Sequence, residues 1–307
     1  PKQVSIQAFF MDDTEITNNE YRQFVYWVRD SMAKKMIGGE HLVEGEGGER
    51  INWDVRIRYD EPEVQDMISE MQYQGADRIE GETGFDTRKY EYNYKWIDLH
   101  EAAKSKYISD PVARSEFIRE EKTRIYPDTL VWIRDFTYSY NDPMTQYYFF
   151  HPGYDDYPVV GVNWHQARAF SFWRTYYLNE YYQSVGEPNI NPFRLPTVAE
   201  WEYAARGGRD FSPYPWGGPY TRNSKGCFLA NFKPLRGNYM QDGGFYPVKV
   251  TSYFPNDYGL YNMAGNVAEW TKSAYDESAY AFVDDMNPDY YYDPISKKDT
   301  APTLKRA

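Results

Sequence analysis

Apolar residues recur with helical spacing behind polar residues that can start a helix. FFMDDTEITNNEYRQFV, residues 9–25, opens as a strand; Thr17 with Glu20 three positions on then forms a capping box. Behind that box Tyr21, Phe24, Val25, Val28 and Met32 follow an i, i+3, i+4, i+7 stripe, which predicts a helix with one buried face. PVVGVNWHQARAFSFW, residues 158–173, repeats the device as strand, turn and helix. Asn163 caps, Gln166 reaches back, and Ala167, Phe170, Trp173 and Tyr177 form the apolar face. In RLPTVAEWEYAARGG, residues 194–208, Thr197 and Glu200 make a third box, Trp201 and Ala204 face inward, and Gly207 with Gly208 ends the helix.

Other stretches read differently. YPWGG at 214–218 is a turn, and PVKVTSYFPNDYGLYNMAGNVAEW at 247–270 is too rich in Gly, Asn and Pro for one regular element. It predicts a short strand followed by an ordered loop held by aromatics. Residues 38–50, rich in Gly and Glu, predict a mobile surface loop. From Pro62 to Arg124 the chain is charged and helix-permissive, with breaks at Gly75, Gly81, Gly84 and Pro111, and TLVWIRDFTYSY at 129–140 alternates as a strand.

Composition narrows the function classes. The 34 basic and 46 acidic residues leave a charge of −12, which repels a phosphate backbone and argues against nucleic acid as a partner. No apolar run approaches the ~18–20 residues that cross a bilayer. The chain opens at Pro1 without a charged n-region, h-region or cleavage site, as though inside a domain. Aromatic residues make up 19%, 32 of them Tyr, more than pinning irregular backbone demands. The clusters Tyr147, Tyr148, Phe149, Phe150 with Tyr154, and Tyr290, Tyr291, Tyr292, therefore stand as candidate interface elements.

Catalytic constellations are sparse. His41, His100, His151 and His165 show no metal-binding spacing, and neither a nucleophile elbow nor a phosphate-binding P-loop occurs. Cys227, the one cysteine, reads as a small buried apolar residue rather than a nucleophile.

The five ordered blocks resemble the formylglycine-generating enzyme, or sulfatase-modifying-factor, superfamily over residues 1–33 and 150–275. The resemblance implies a loop-rich α+β fold related to C-type lectins. It divides the chain into a formylglycine-generating-enzyme-like domain, 1–33 and 150–307 with its C-terminal end incomplete, and a large insertion at 34–149 acting as a partner or self-assembly arm. Enzymes of that family bind copper through two cysteines near the C-terminal end of the domain, after an RGGSW-like motif. This chain reaches KKDTAPTLKRA, residues 297–307, without that motif, so the resemblance implies a pseudoenzyme with no catalytic residues and no copper.

It also implies structural Ca²⁺ in two loops. One would use Asn231, the main chain of Phe232, Asp242 and the main chain of Gly244; the other Asn262, the main chains of Gly265 and Val267, and Glu269. The opening block, the insertion and the acidic, Tyr-rich character most resemble the GldK/PorK group of gliding-motility lipoproteins, with GldJ as a sister group. That likeness implies a structural component of type IX protein secretion at the periplasmic face of the outer membrane, held by an N-terminal lipid anchor outside this chain. It further implies a ring built by self-association with a GldN/PorN-like partner. Two alternatives stay open: an oxidase of this family with catalytic cysteines beyond residue 307, and a calcium-dependent, C-type-lectin-like binding module.

Overall fold

The computed structural model describes residues 4–45, 48–104, 106–109, 112–135, 137–138, 141–233, 236–275 and 277. Helices and strands run in the order α1 (Asn18–Ile37), β1 (Leu42–Gly45), β2 (Gly48–Ile51), α2 (Pro62–Met67), β3 (Glu91–Ile97), α3 (Leu99–Ala102), α4 (Lys106–Ser109), β4 (Ile118–Arg124), α5 (Val131–Asp135), α6 (Pro143–Tyr147), α7 (Trp164–Ser184) and α8 (Val198–Arg206). The fold is mixed α and β, and its chain divides into two compact units. A loop unit holds the described residues within Pro1–Glu20, Thr129–Ser171 and Pro192–Ala307; a hairpin unit holds those within Tyr21–Asp128 and Phe172–Asn191. Of the insertion expected at 34–149, the part up to Asp128 lies in the hairpin unit and the remainder in the loop unit.

In the hairpin unit the apolar stripe of α1 forms the core. Tyr21, Phe24, Val25 and Val28 are buried, each contributing about 1.5–3 kcal/mol by leaving water. Phe24 meets Tyr92 edge-on with ring centroids 5.3 Å apart and Trp173 at 5.2 Å, while the Tyr21 hydroxyl donates to the Ile125 carbonyl at 2.8 Å. Strands β3 and β4 pair antiparallel from Glu91 opposite Arg124 to Ile97 opposite Ile118. Tyr94 turns inward onto Phe172, its ring stacked at 4.5 Å, while Asn93 and Lys95 on either side point to water. Lys95 faces Glu120 across the pair at 3.6 Å.

Two expectations for this unit need correction. Residues 38–50 are not simply a mobile loop, because β1 and β2 pair antiparallel from Leu42 opposite Ile51 to Gly45 opposite Gly48. The stretch 62–124 is not chiefly helical either. Tyr92, Tyr94 and Trp96 alternate with Asn93 and Lys95, and that period-two pattern outweighs the charged, helix-permissive surroundings.

The loop unit is fixed by its caps. The Thr17 amide donates to the Glu20 carboxylate at 2.8 Å and the Glu20 amide to the Thr17 hydroxyl at 3.2 Å. Asn163 and Gln166 repeat the reciprocal pair at 2.8 and 3.0 Å, and Thr197 and Glu200 do so at 2.8 and 3.2 Å, so all three predicted boxes form. Helix α8 stops at Gly207, whose φ of 58° is left-handed. Buried Asn256 donates to the Ala204 and Ala205 carbonyls at 2.7 and 3.3 Å, satisfying acceptors that the helix end leaves open. Ala204, Ala205, Leu260 and Met263 form the core beside it, with Phe9, Met11 and Trp201 packed on the outside.

The expected strands at 9–16, at the start of 158–173 and after Pro247 are absent among the described residues. The chain is tied there by single contacts instead: an isolated bridge joins Thr17 to Pro158, and the Val250 amide donates to the Asp156 carbonyl at 3.0 Å. The strand expected at 129–140 is the short helix α5, since one helical turn lets Trp132 bury itself against Tyr148 at 4.8 Å and Tyr246 at 5.8 Å. Tyr290, Tyr291 and Tyr292 lie outside the described residues.

Candidate functional site

The sequence-derived loop residues come together in the loop unit. Asp242, nearly buried, accepts from the Phe232 amide at 2.7 Å on one carboxylate oxygen and from the Gly244 amide at 3.2 Å on the other. The Asn231 side-chain amide donates to the Tyr246 carbonyl at 3.0 Å and to Asn266 Oδ1 at 3.3 Å. The Asn266 main-chain amide donates to the Asn231 carbonyl at 2.8 Å, so the two loops are joined both side chain to side chain and main chain to main chain.

Close approach explains one glycine. Gly265 has φ of 94°, and a Cβ there would lie 2.2 Å from the Asn231 carbonyl oxygen. Only glycine lets the two loops touch.

Asn262, Gly265, Val267 and Glu269 all line one cleft of about 360 Å³, whose wall also includes Trp201 and Met263. The Trp201 indole donates to Glu269 Oε2 at 2.7 Å. Glu269 keeps exposed surface, yet the protein around its carboxylate excludes enough water to raise its pKa, an effect the indole bond opposes. Asn262 donates to Glu15 Oε2 at 2.8 Å and to the Val250 carbonyl at 2.9 Å.

The sequence reading missed Glu15 and Asn266. Asn262 and Asn266 each donate an amide hydrogen to one oxygen of Glu15, at 2.8 and 3.0 Å. Burial pushes the Glu15 carboxyl up to about 7, the two amide bonds work against that rise, and the Glu269 charge adds to it. The available signal was the pair of asparagines four residues apart in NMAGN; both adopt positive φ, 49° and 63°. An asparagine tolerates that conformation better than most residues and can bond locally while doing so.

The donor set decides which cation these loops suit. Among the described residues no three His, Cys, Asp or Glu side chains gather to hold a metal. Each loop instead offers one carboxylate, Asp242 or Glu269, with side-chain amide and main-chain oxygens, and Glu269 has no ion-pair partner among the described residues. Hard oxygen ligands of that kind fit Ca²⁺ and not copper, which takes thiolate or imidazole.

The remaining candidates separate. Cys227 is exposed, not buried: its amide donates to Asn223 Oδ1 at 2.9 Å and its carbonyl accepts from the Asn223 amide at 2.9 Å, a polar turn at the surface. Tyr148 and Phe149 belong to the core rather than to a surface, the Tyr148 hydroxyl donating to the Pro158 carbonyl at 2.6 Å. Tyr147 and Phe150 are 44% and 49% exposed, and Tyr154 is half-buried.

Residues 1–298 match the family of the sulfatase-modifying factor enzyme 1-like domain, and the chain belongs to it. It is similar to the inactive C-alpha-formylglycine-generating enzyme 2 of Bos taurus, 41% identical over 122 residues, covering 39% of this chain and 34% of that protein. It is also similar to the formylglycine-generating enzyme of Streptomyces coelicolor, 36% identical over 137 residues, covering 44% of this chain and 38% of that one. A third likeness, to the serine/threonine-protein kinase pkn1 of Chlamydia pneumoniae, runs at 30% identity over 234 residues, 74% of this chain and 31% of the relative. The chain thus spans about a third of the length of these curated relatives.

Proposed function

We propose that this member of the sulfatase-modifying-factor family is a non-catalytic assembly component, a scaffold that keeps the fold and has given up the oxidase chemistry. The observation that carries this reading is that the one cysteine within residues 1–307, Cys227, is exposed on a polar turn and absent from the wall of the Glu269 cleft. An oxidase that works through a cysteine pair needs two thiols in one site. The family contains proteins described as inactive as well as formylglycine-generating enzymes, which makes a binding role compatible with membership.

In the finer form of the proposal the protein serves type IX secretion and gliding, like the GldK/PorK lipoproteins. It would sit at the periplasmic face of the outer membrane, form a ring with itself and bind a GldN/PorN-like partner. The acidic charge, the abundance of Tyr, and Tyr147 and Phe150 on the surface support contact over catalysis. Ca²⁺ bound through Asn231, Asp242, Asn262 and Glu269 with nearby main-chain oxygens would stiffen the loops and take no part in a reaction.

The deciding experiment is the mass of the gently extracted protein by light scattering, with co-purifying proteins identified and copper measured. A large assembly containing one dominant partner and no copper supports the scaffold. A monomer that binds copper and oxidises a cysteine peptide sinks it in favour of the enzyme.

A further inference from the structure

Within the hairpin unit, a second cleft of about 370 Å³ is lined by Arg29, Asp30, Lys34, Trp53, Asp54 and Arg56. Arg29 is already paired, its Nε 2.7 Å from Asp30 Oδ1, which also accepts from the Tyr59 hydroxyl at 2.7 Å. Lys34 is different. It is only 3% exposed, and its ammonium donates to the Asn52 carbonyl and, at 2.6 Å, to the Val55 carbonyl. An ammonium has three donors, so among the described residues one N–H has no acceptor and no carboxylate lies within ion-pair distance. Burial lowers the pKa of Lys34, and the charges of Asp30 and Asp54, which lie beyond ion-pair distance, oppose that shift.

Arg56 is exposed and makes no hydrogen bond or ion pair among the described residues. Trp53, 41% exposed, stacks on Trp27 at 5.3 Å and lies under the Lys34 ammonium at 5.2 Å. Aromatic contact continues from Trp27 to Tyr176 at 6.0 Å, and Tyr176 is itself exposed. The cleft therefore joins unfilled cationic donors to an aromatic ledge. Three cations against two carboxylates leave a single positive charge in its wall, which suits a monoanion better than a doubly charged phosphate.

We propose that this cleft binds a carboxylate side chain carried on an aromatic segment of a partner protein, the acid between Lys34 and Arg56 and its neighbours on Trp53. The proposal rests on the scaffold reading only in requiring a partner.

Calorimetric titration of the protein with acetyl-Phe-Glu-Phe-amide tests it, alongside the Gln counterpart and a phosphoserine counterpart. Saturable one-to-one binding is expected. The Gln peptide and the variant Arg56→Gln should each weaken it about tenfold or more, since a charge-assisted hydrogen bond contributes about 1.5–3 kcal/mol. Lys34→Met should do the same; if that variant fails to fold, Arg56→Gln and Trp53→Ala, both at exposed residues, carry the test. Equal affinity for the Gln peptide, tighter binding of the phosphopeptide, or no saturable heat overturns the proposal. A protein that assembles yet ignores the peptide overturns the cleft alone, whereas a monomer that binds it overturns the scaffold alone.

Discussion

In the loop unit Asn231, Asp242, Asn256, Asn262 and Asn266 direct their side chains at main-chain groups; in the hairpin unit Phe24, Tyr92, Tyr94 and Trp173 meet ring against ring. The first set fixes irregular chain and the second packs helices and strands together, by different physics. Side-chain to backbone bonds are directional and fail when one atom is misplaced, whereas ring packing is apolar and fails when volume is lost. The loop unit should therefore be sensitive to backbone geometry and pH, and the hairpin unit to truncation.

The largest expected effect is in the hairpin unit. Phe24→Ala removes a fully buried ring and should cost about 3–5 kcal/mol, read from denaturant unfolding. Hydrogen exchange should show protection lost at β3 and β4 before α8; equal loss in both units would erase the distinction.

Gly265→Ala is the matching lesion in the loop unit, and about 3 kcal/mol or more is expected, because the added Cβ meets the Asn231 carbonyl and the backbone is left-handed. Here α8 and residues 231–269 should lose protection first.

Two glutamates of the loop unit then titrate in opposite senses. Glu15, raised to about 7, binds a proton more readily folded than unfolded. Its contribution favours folding at low pH and is lost as pH rises from about 4.5 through about 7, worth on the order of 3 kcal/mol. Glu200, held near about 2 chiefly by the Arg194 fork, contributes stability above its ordinary pKa of 4.5 and loses it as pH falls toward 2. Unfolding measured from pH 3 to 8 should show both slopes. Glu15→Gln should flatten only the upper one and Arg194→Met only the lower; an unchanged upper slope in Glu15→Gln would remove Glu15 from the account.

The smallest effect closes the series. Lys95→Ala breaks the exposed pair with Glu120 and should change stability by no more than about 0.5 kcal/mol. A larger loss would mean that ion pairs, and not rings, hold β3 to β4.

What was legible in the sequence follows the same divide. The capping boxes and Gly207 are short-range devices whose partners lie within a few residues, so α1, α7 and α8 could be read directly. The bond from Asn262 to Glu15 joins residues at opposite ends of the described chain, and no local pattern points from one to the other. Trp132 misled because VWIRD alternates like a strand while packing decides for a helical turn. The Tyr92, Tyr94 and Trp96 alternation was present but sat among charges that suggested helix.

The exposed turn at Cys227 also has a practical consequence. Residues 1–307 hold one cysteine and it is exposed, so a protein made of these residues offers a single attachment point for a maleimide dye, with no engineering of the chain. One dye per chain turns stepwise photobleaching into a direct count of subunits in whatever assembly it joins.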